Sequence, residues 1–223
     1  MMWEAQRSEV VETARRIHHA GFVAGTAGNV SQRFREPGGR ELMAITPSGR
    51  CYDTMTADDI VVLDMQGQRI AGDLAPSIEA MMHLAIYRAR RNVCAVVHTH
   101  AVHACLVAVT AREIPPLLDE QVTFLGGEIV VADYALPGSP ELARNAVAAL
   151  GSRNAALLAS HGAVAAGRDL REAFDNCAIL EKTAHVYALA RIMGDVRALP
   201  PHAVEAGKTA FAARSGDAAP DAS

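Results

Sequence analysis

Apolar positions along the chain recur at two periods, and the alternation between them lays out the fold. Residues 4–20 place Val10, Ala14 and Ile17 on one helical face, with Gly21 positioned to end the helix. Residues 41–46 (ELMAIT) read as a strand closed by the turn Thr46-Pro-Ser-Gly49. Residues 60–64 and 68–71 read as paired strands, with Met65-Gln-Gly67 as their hairpin. Pro76-Ser77 opens a helix running to about Arg91, with Ser77 as its N-cap candidate. The run 93–98 (VCAVVH) is a buried strand, followed by a short helix over 101–110. Residues 128–132 form another strand, and Ser139-Pro140-Glu141 starts a helix to about Leu150. Strands at 155–159 and 163–166 flank Ser160-His161-Gly162, and the last long helix covers about 169–193. Residues 200–223, rich in Ala, Gly, Asp and Pro, are expected to form a mobile tail.

Strands alternate with helices but include a hairpin, which predicts a layered α/β sandwich on a mixed sheet. No repeat or linker interrupts residues 1–199, so one domain is expected there. Half of the 223 residues are hydrophobic, enough for a sizeable core, but only 4 % are aromatic. Ala and Val therefore carry the packing. The net charge is −4 and no Lys/Arg cluster stands out, which excludes nucleic acid and anionic membrane as expected partners. The first residues lack the apolar core of a signal peptide, and no stretch approaches the ~20 apolar residues of a membrane span. A cytoplasmic protein is expected. Cys51, Cys94, Cys105 and Cys177 form no C-x-x-C pair and read as reduced thiols.

The chemistry concentrates in histidines at strand ends. His98 and His100 are two residues apart at the end of a predicted strand, so their side chains share a face. His161 lies at the end of a second apolar strand, just before Gly162. If those ends adjoin, three imidazoles converge, and three protein ligands with an open position is the pattern of catalytic zinc. Mn²⁺ or Co²⁺ would also suit such a site. A single strand histidine is more often a satisfied core residue, and the remaining histidines are read that way. His83 is the exception: it lies one turn after Glu79 on the same helix face, placed to support the site. Glu79 itself has two readings, a charge favouring a helix N-terminus or a general base beside the metal. Gly28-Asn29-Val-Ser31, Thr46-Pro-Ser48-Gly49 and Ser77 could cradle a phosphate with backbone N–H groups and hydroxyls. Ordinary turns use the same residues.

Six ordered motifs carry a family resemblance: TAGNVS at 26–31, ITPSG at 45–49, PSIE at 76–79, HTHA at 98–101, GG at 126–127 and SHGA at 160–163. Over about residues 5–193 the chain resembles the class II aldolase and adducin-head family. The resemblance implies a three-layer α/β/α sandwich with a central mixed, largely antiparallel sheet. It also implies a four-fold symmetric homotetramer with sites at subunit interfaces. By position, the zinc ligands fall on His98, His100 and His161, the catalytic glutamate on Glu79, and the phosphate pocket on Gly28, Asn29, Ser48, Gly49 and Ser77. The implied reaction is zinc-dependent retro-aldol cleavage of a ketose 1-phosphate, through an enediolate, to dihydroxyacetone phosphate and an aldehyde. Sugar-phosphate epimerase, dehydratase and decarboxylase readings belong to the same family, as does a non-catalytic adducin-like module. The chain departs from the aldolase pattern twice. Ile78 stands where a second phosphate-binding serine is common, and Leu117–Phe124 lacks the tyrosine expected before the GG pair, leaving Glu120 nearest to it. The epimerase's acidic residue in that segment falls nearest Val122.

Overall fold

The apolar run in the middle of the chain becomes a central strand, Ala95–Thr99, with all five residues buried. The structure is a computed structural model and describes residues 2–110 and 112–215. Its elements, in chain order, are α1 (Glu4–His19), β1 (Asn29–Arg35), β2 (Glu41–Ile45), β3 (Val61–Asp64), β4 (Arg69–Ala71) and α2 (Ala80–Ala89). They continue with β5 (Ala95–Thr99), α3 (Val102–Ala108), β6 (Val131–Ala132), α4 (Pro140–Leu150), β7 (Ala155–Leu158), β8 (Gly162–Gly167), α5 (Leu170–Met193) and α6 (Pro201–Ser215).

The strands form one sheet in the order β4-β3-β2-β1-β5-β8-β7-β6. Every neighbouring pair is antiparallel except β6 with β7, so the sheet is mixed and largely antiparallel as expected. Side chains alternate across it. Met43, Ile45, Val96 and Val164 meet Leu84, Ile86 and Leu142 of α2 and α4. Leu42, Ala44 and Val97 meet Val10, Ala14 and Ile17 of α1. Farther along that second face, Leu157 and Ala163 pack with Ala104, Leu180 and Ala184 of α3 and α5. Small residues let the layers approach closely: a Cβ on Gly167 would lie 2.4 Å from the backbone nitrogen of Ala173 on α5. No described helix is long and apolar enough to cross a membrane.

Four local expectations are corrected. Residues 29–35 form β1, where a glycine-rich loop was read through Ser31. Buried Ser31 and Arg33 on the face toward α2 erased the alternation that marks a half-buried strand. The second helix begins at Ala80, with Glu79 rather than Ser77 as its N-cap, and ends at Ala89. A bridge from Pro47 to Pro76, and the bond from Ser77 N–H to Thr46 O at 3.1 Å, hold residues 76–77 extended. Of residues 128–132 only Val131–Ala132 is strand, with Ile129 making an isolated bridge to Ile114.

The fourth correction concerns the expected tail. Residues 201–215 form α6, which packs on a π-helical turn over Gln121–Leu125. A Cβ on Gly207 would lie 2.7 Å from Val122 Cγ1, and one on Gly126 would lie 2.9 Å from the ring of Phe211. Each glycine thus receives a bulky side chain of the other segment. An Ala-rich composition that read as a tail is also a strong helix former once Phe211 has a place to bury. Residues 216–223 of the expected tail lie outside the described residues.

Candidate metal centre and active site

Strand pairing brings the three histidines together. β5 carries His98 opposite Asn29 of β1 and Val164 of β8. His100 follows one residue past the strand, its N–H bonded to Phe22 O at 3.0 Å. His161 sits in the loop joining β7 to β8. Ser160 takes a left-handed φ of 52° there, with its N–H held by Ala108 O. A non-glycine residue in that region is uncommon and recurs at functional sites. Gly162 explains the His-Gly pair, because a Cβ would lie 2.3 Å from Thr99 O and 3.0 Å from His100 Cδ2. Only a bare backbone lets the His161 loop close on β5.

The three rings lie edge to face, with centroids 4.8–5.0 Å apart. One nitrogen from each lies within 4.8 Å of the others. His98 Nδ1 meets Ala163 O at 2.9 Å. A carbonyl only accepts, so Nδ1 donates and Nε2 turns inward. There it lies 3.0 Å from His100 Nε2 and 3.1 Å from Glu79 Oε2, while His161 Nε2 lies 3.2 Å from Glu79 Oε1. Burial first, and then the neighbouring imidazoles His98 and His161, push His100 down to about 4. Burial and His98 also lower His161. Imidazole nitrogens crowded against a carboxylate fit a borderline divalent cation, so the donor set suits zinc or a similar ion.

Glu79 is 5 % exposed and stands where β1 meets the start of α2. Asn29 Nδ2 donates to its Oε2 at 2.8 Å. Burial alone would raise this carboxyl. His98, as donor and as charge, overrides it, Asn29 and His161 add to the effect, and the group is held down to about 2. Eight buried side-chain polar atoms among the described residues lack a hydrogen-bond partner, and four of them gather at this place: Asn29 Oδ1, Glu79 Oε1, His83 Nε2 and His161 Nδ1. Such atoms are rare in packed interiors, and their clustering marks a site shaped for something besides its own side chains.

The expected phosphate loops meet through Thr46. Its N–H bonds Val30 O at 3.0 Å, its Oγ1 accepts from Val30 N, and its carbonyl accepts from Ser77 N at 3.1 Å. The segments that carry Gly28 and Asn29, Ser48 and Gly49, and Ser77 are thereby tied together, and of these residues Asn29 and Ser77 bond Glu79. Gly28 adopts a φ of 75°, and a Cβ there would strike His98 O at 2.7 Å. Not every expected donor is available: Ser48 N–H is bonded to Ala75 O and Ser77 N–H to Thr46 O. Ser77 Oγ accepts from Glu79 N at 3.2 Å, while Ser48 and Gly49 are exposed. Ile78, in place of a second serine, is 64 % exposed.

Glu120 does not join the histidines; its carboxylate pairs with Lys182 of α5. Val122 is buried beneath Gly207 and offers no acid. His103 bonds Glu181 at 2.7 Å and stacks on His185, away from the three-histidine cluster. A cleft of about 640 Å³ between α2 and α4, lined by Met81, Ala85 and Val147, is mostly apolar and holds none of the site residues. Ser31, read in the sequence only as part of a possible phosphate loop, and Tyr87, unread there, are both buried and join the groups around His83. The signal for them was an i, i+2 polar pattern on one strand facing an i, i+4 pattern on the following helix.

Residues 8–188 match the family model for the Class II Aldolase and Adducin N-terminal domain, and the chain belongs to this family. It is 34 % identical over 205 residues to 5-deoxy-D-ribulose 1-phosphate aldolase of Bacillus thuringiensis serovar kurstaki, covering 92 % of this chain and 94 % of that one. It is 32 % identical over 187 residues to 3-oxo-tetronate 4-phosphate decarboxylase of Haemophilus influenzae, covering 82 % and 87 %. Among solved structures, L-fuculose 1-phosphate aldolase superposes with a TM-score of 0.88 at 33 % identity, over 95 % of this chain and 98 % of that one. These relatives are enzymes of sugar-phosphate chemistry, and the α/β fold is theirs.

Proposed function

We propose that this protein is a divalent-metal-dependent aldolase that cleaves a ketose 1-phosphate to dihydroxyacetone phosphate and an aldehyde. The observation that carries the reading is the convergence of His98, His100 and His161 on the Glu79 carboxylate. The three histidines hold the ion, Zn²⁺ by preference, with Mn²⁺ or Co²⁺ as substitutes. When bound, the ion supplies Lewis acidity toward the oxygens of the substrate's ketone and adjacent hydroxyl.

The chain's own groups do the rest. Gly28, Asn29, Ser48, Gly49 and Ser77 bind the phosphate and fix the unreactive end of the substrate. The C3–C4 bond breaks, its electron pair stays on the dihydroxyacetone phosphate half, and the C4 hydroxyl proton passes to water as the aldehyde forms. Glu79, ionised at rest, takes up a proton from water and passes it to the enediolate carbon; in the condensing direction it removes that proton and returns it to water. Glu79 suits both tasks because it is fixed by Asn29 and lies against the imidazoles. The protein is a cytoplasmic homotetramer in this reading. Its free cysteines fit a reducing compartment, and exposed Val102, Leu106, Leu189 and Ile192 supply apolar surface for subunits to bury.

One observation favours a second reading. The segment before Gly126 lacks a tyrosine, and Glu120 is committed to Lys182, so the described residues supply no evident group for the aldehyde-side proton. Decarboxylation releases carbon dioxide and requires no such group, and one relative is a decarboxylase. The test is a panel of ketose 1-phosphates and 3-oxo acid phosphates given to the zinc-loaded enzyme. Release of dihydroxyacetone phosphate is expected. Carbon dioxide from a 3-oxo acid phosphate, with no cleavage of any ketose 1-phosphate, replaces the aldolase reading by the decarboxylase one.

A further inference from the structure

Between β1 and α2 runs a polar seam inside an otherwise apolar interface. Asn29, Ser31 and Arg33 are alternate residues of β1, so all three side chains share the face toward α2. Glu79, His83 and Tyr87 are spaced by four on the facing helix and its N-cap. They meet in order. Asn29 Nδ2 donates to Glu79 Oε2 at 2.8 Å, Ser31 Oγ meets His83 Nδ1 at 2.7 Å, and Arg33 Nη1 donates to Tyr87 O at 3.1 Å. The middle rung is doubled: Tyr87 Oη lies 2.7 Å from Ser31 Oγ and donates to Ser31 O at 3.0 Å. The repeats match, because two strand residues advance about 6.6 Å and four helical residues about 6 Å.

Ser31, His83 and Tyr87 are all completely buried, and His83 Nε2 has no hydrogen-bond partner. Burial pushes His83 down to about 3, so the ring is neutral and available as an acceptor for the Ser31 hydroxyl. Apolar residues would fill this space without such desolvation. Their contacts, however, are non-directional and leave a helix free to slide or roll, whereas hydrogen bonds tolerate little of either. Glu79 is the N-cap of α2, so any slide or roll of the helix moves its carboxylate.

Building on the proposed function, we infer that Ser31, His83 and Tyr87 are positioning residues: the seam fixes the axial place and roll of α2 and thereby holds the Glu79 carboxylate at the three imidazoles. They touch neither substrate nor ion. Misplacing a reacting group by about 1 Å can cost around a hundredfold in rate.

The test compares Ser31→Ala, Ser31→Thr and Tyr87→Phe in the zinc-loaded protein by steady-state kinetics and by crystal structures. Ser31→Ala is expected to lower kcat about tenfold or more, with KM and zinc content close to wild type and Glu79 Oε2 displaced from Asn29 and His98. Ser31→Thr, which keeps the hydroxyl, recovers most of kcat. Tyr87→Phe, nearly isosteric and safe for folding, shifts kcat in the same direction by less. The inference is overturned if Ser31→Ala and Tyr87→Phe leave kcat unchanged, or if Glu79 stays in place in both crystals. If wild-type protein cleaves no ketose 1-phosphate, the aldolase reading falls, and the position of Glu79 in the crystals alone decides the seam.

Discussion

His98 Nδ1 donates to the carbonyl of Ala163 at 2.9 Å, so a backbone atom of β8 selects the tautomer of a side chain on β5. Because Ala163 follows the loop that carries His161, one β-hairpin both supplies one candidate ligand and orients another. The three-histidine site is thus a property of sheet register, and it forms only in the folded protein. We expect about one zinc or similar ion per chain, measured by elemental analysis. His98→Ala and His161→Ala are each expected to lose it. Stoichiometric metal retained in both variants would remove the site.

Gly162 tests the same register from the backbone side. A methyl group there meets Thr99 O at 2.3 Å and two imidazole rings within 3.3 Å. Neither strand can yield without breaking the β5–β8 ladder. Gly162→Ala is expected to cost about 1–3 kcal/mol in urea unfolding and to weaken metal binding as the rings part. Unchanged stability together with unchanged metal affinity would show that the loop relaxes freely.

Much of this was legible before any coordinates, and the residues show why. His98, His100 and His161 stand at the ends of short apolar strands whose boundaries the hydrophobic pattern marks well. The histidine pairing itself depended on two strand ends being adjacent, which no local pattern encodes. β1 escaped notice because its inward positions are polar: Ser31 and Arg33 answer to α2, fifty residues away, and not to their neighbours in sequence. α6 escaped because its docking rests on Gly207 and Gly126 receiving Val122 and Phe211, a fit visible only in three dimensions. The Ser77 helix start failed for a related reason, since a tertiary bridge to residues 46–47 overrode a good local cap. The candidate phosphate loops could be named one by one, Thr46 among them, but that Thr46 bonds both Val30 and Ser77 is a tertiary fact no motif encodes.

Asp59 gives a pH-dependent stability prediction away from the site. It closes a capping box with Thr56, accepting from its N–H at 2.8 Å and from its hydroxyl at 3.0 Å, and pairs with Arg50 at 3.3 Å. Burial raises this carboxyl, but the Thr56 bonds and the Arg50 charge outweigh it and hold the group below its ordinary 3.8. The unfolded chain therefore takes up the proton at higher pH than the folded one. The stability Asp59 contributes is full above the ordinary carboxylate value and is lost as pH falls through the lowered one. Asp59→Asn is expected to be less stable than wild type at pH 7 by about 0.5–1 kcal/mol. The gap should shrink below pH 3.8. Urea unfolding across that range checks it, and a gap independent of pH would assign the effect to packing.

Glu79 separates catalysis from metal binding most sharply. Glu79→Gln keeps the shape of the side chain and an oxygen for the Asn29 amide, so it opens no cavity at the start of α2. The three imidazoles remain, and zinc content should stay near wild type. What disappears is a carboxylate able to take and return a proton. Turnover is expected to fall about 10²–10⁴-fold with little change in KM, because the proposed phosphate-binding residues are untouched. Loss of metal in this variant would instead make Glu79 a ligand, and its 3.1 and 3.2 Å approaches to His98 and His161 would then reflect shared coordination. Near-normal turnover with metal in place would eliminate Glu79 as the proton carrier, and the positioning seam behind it would lose its catalytic purpose.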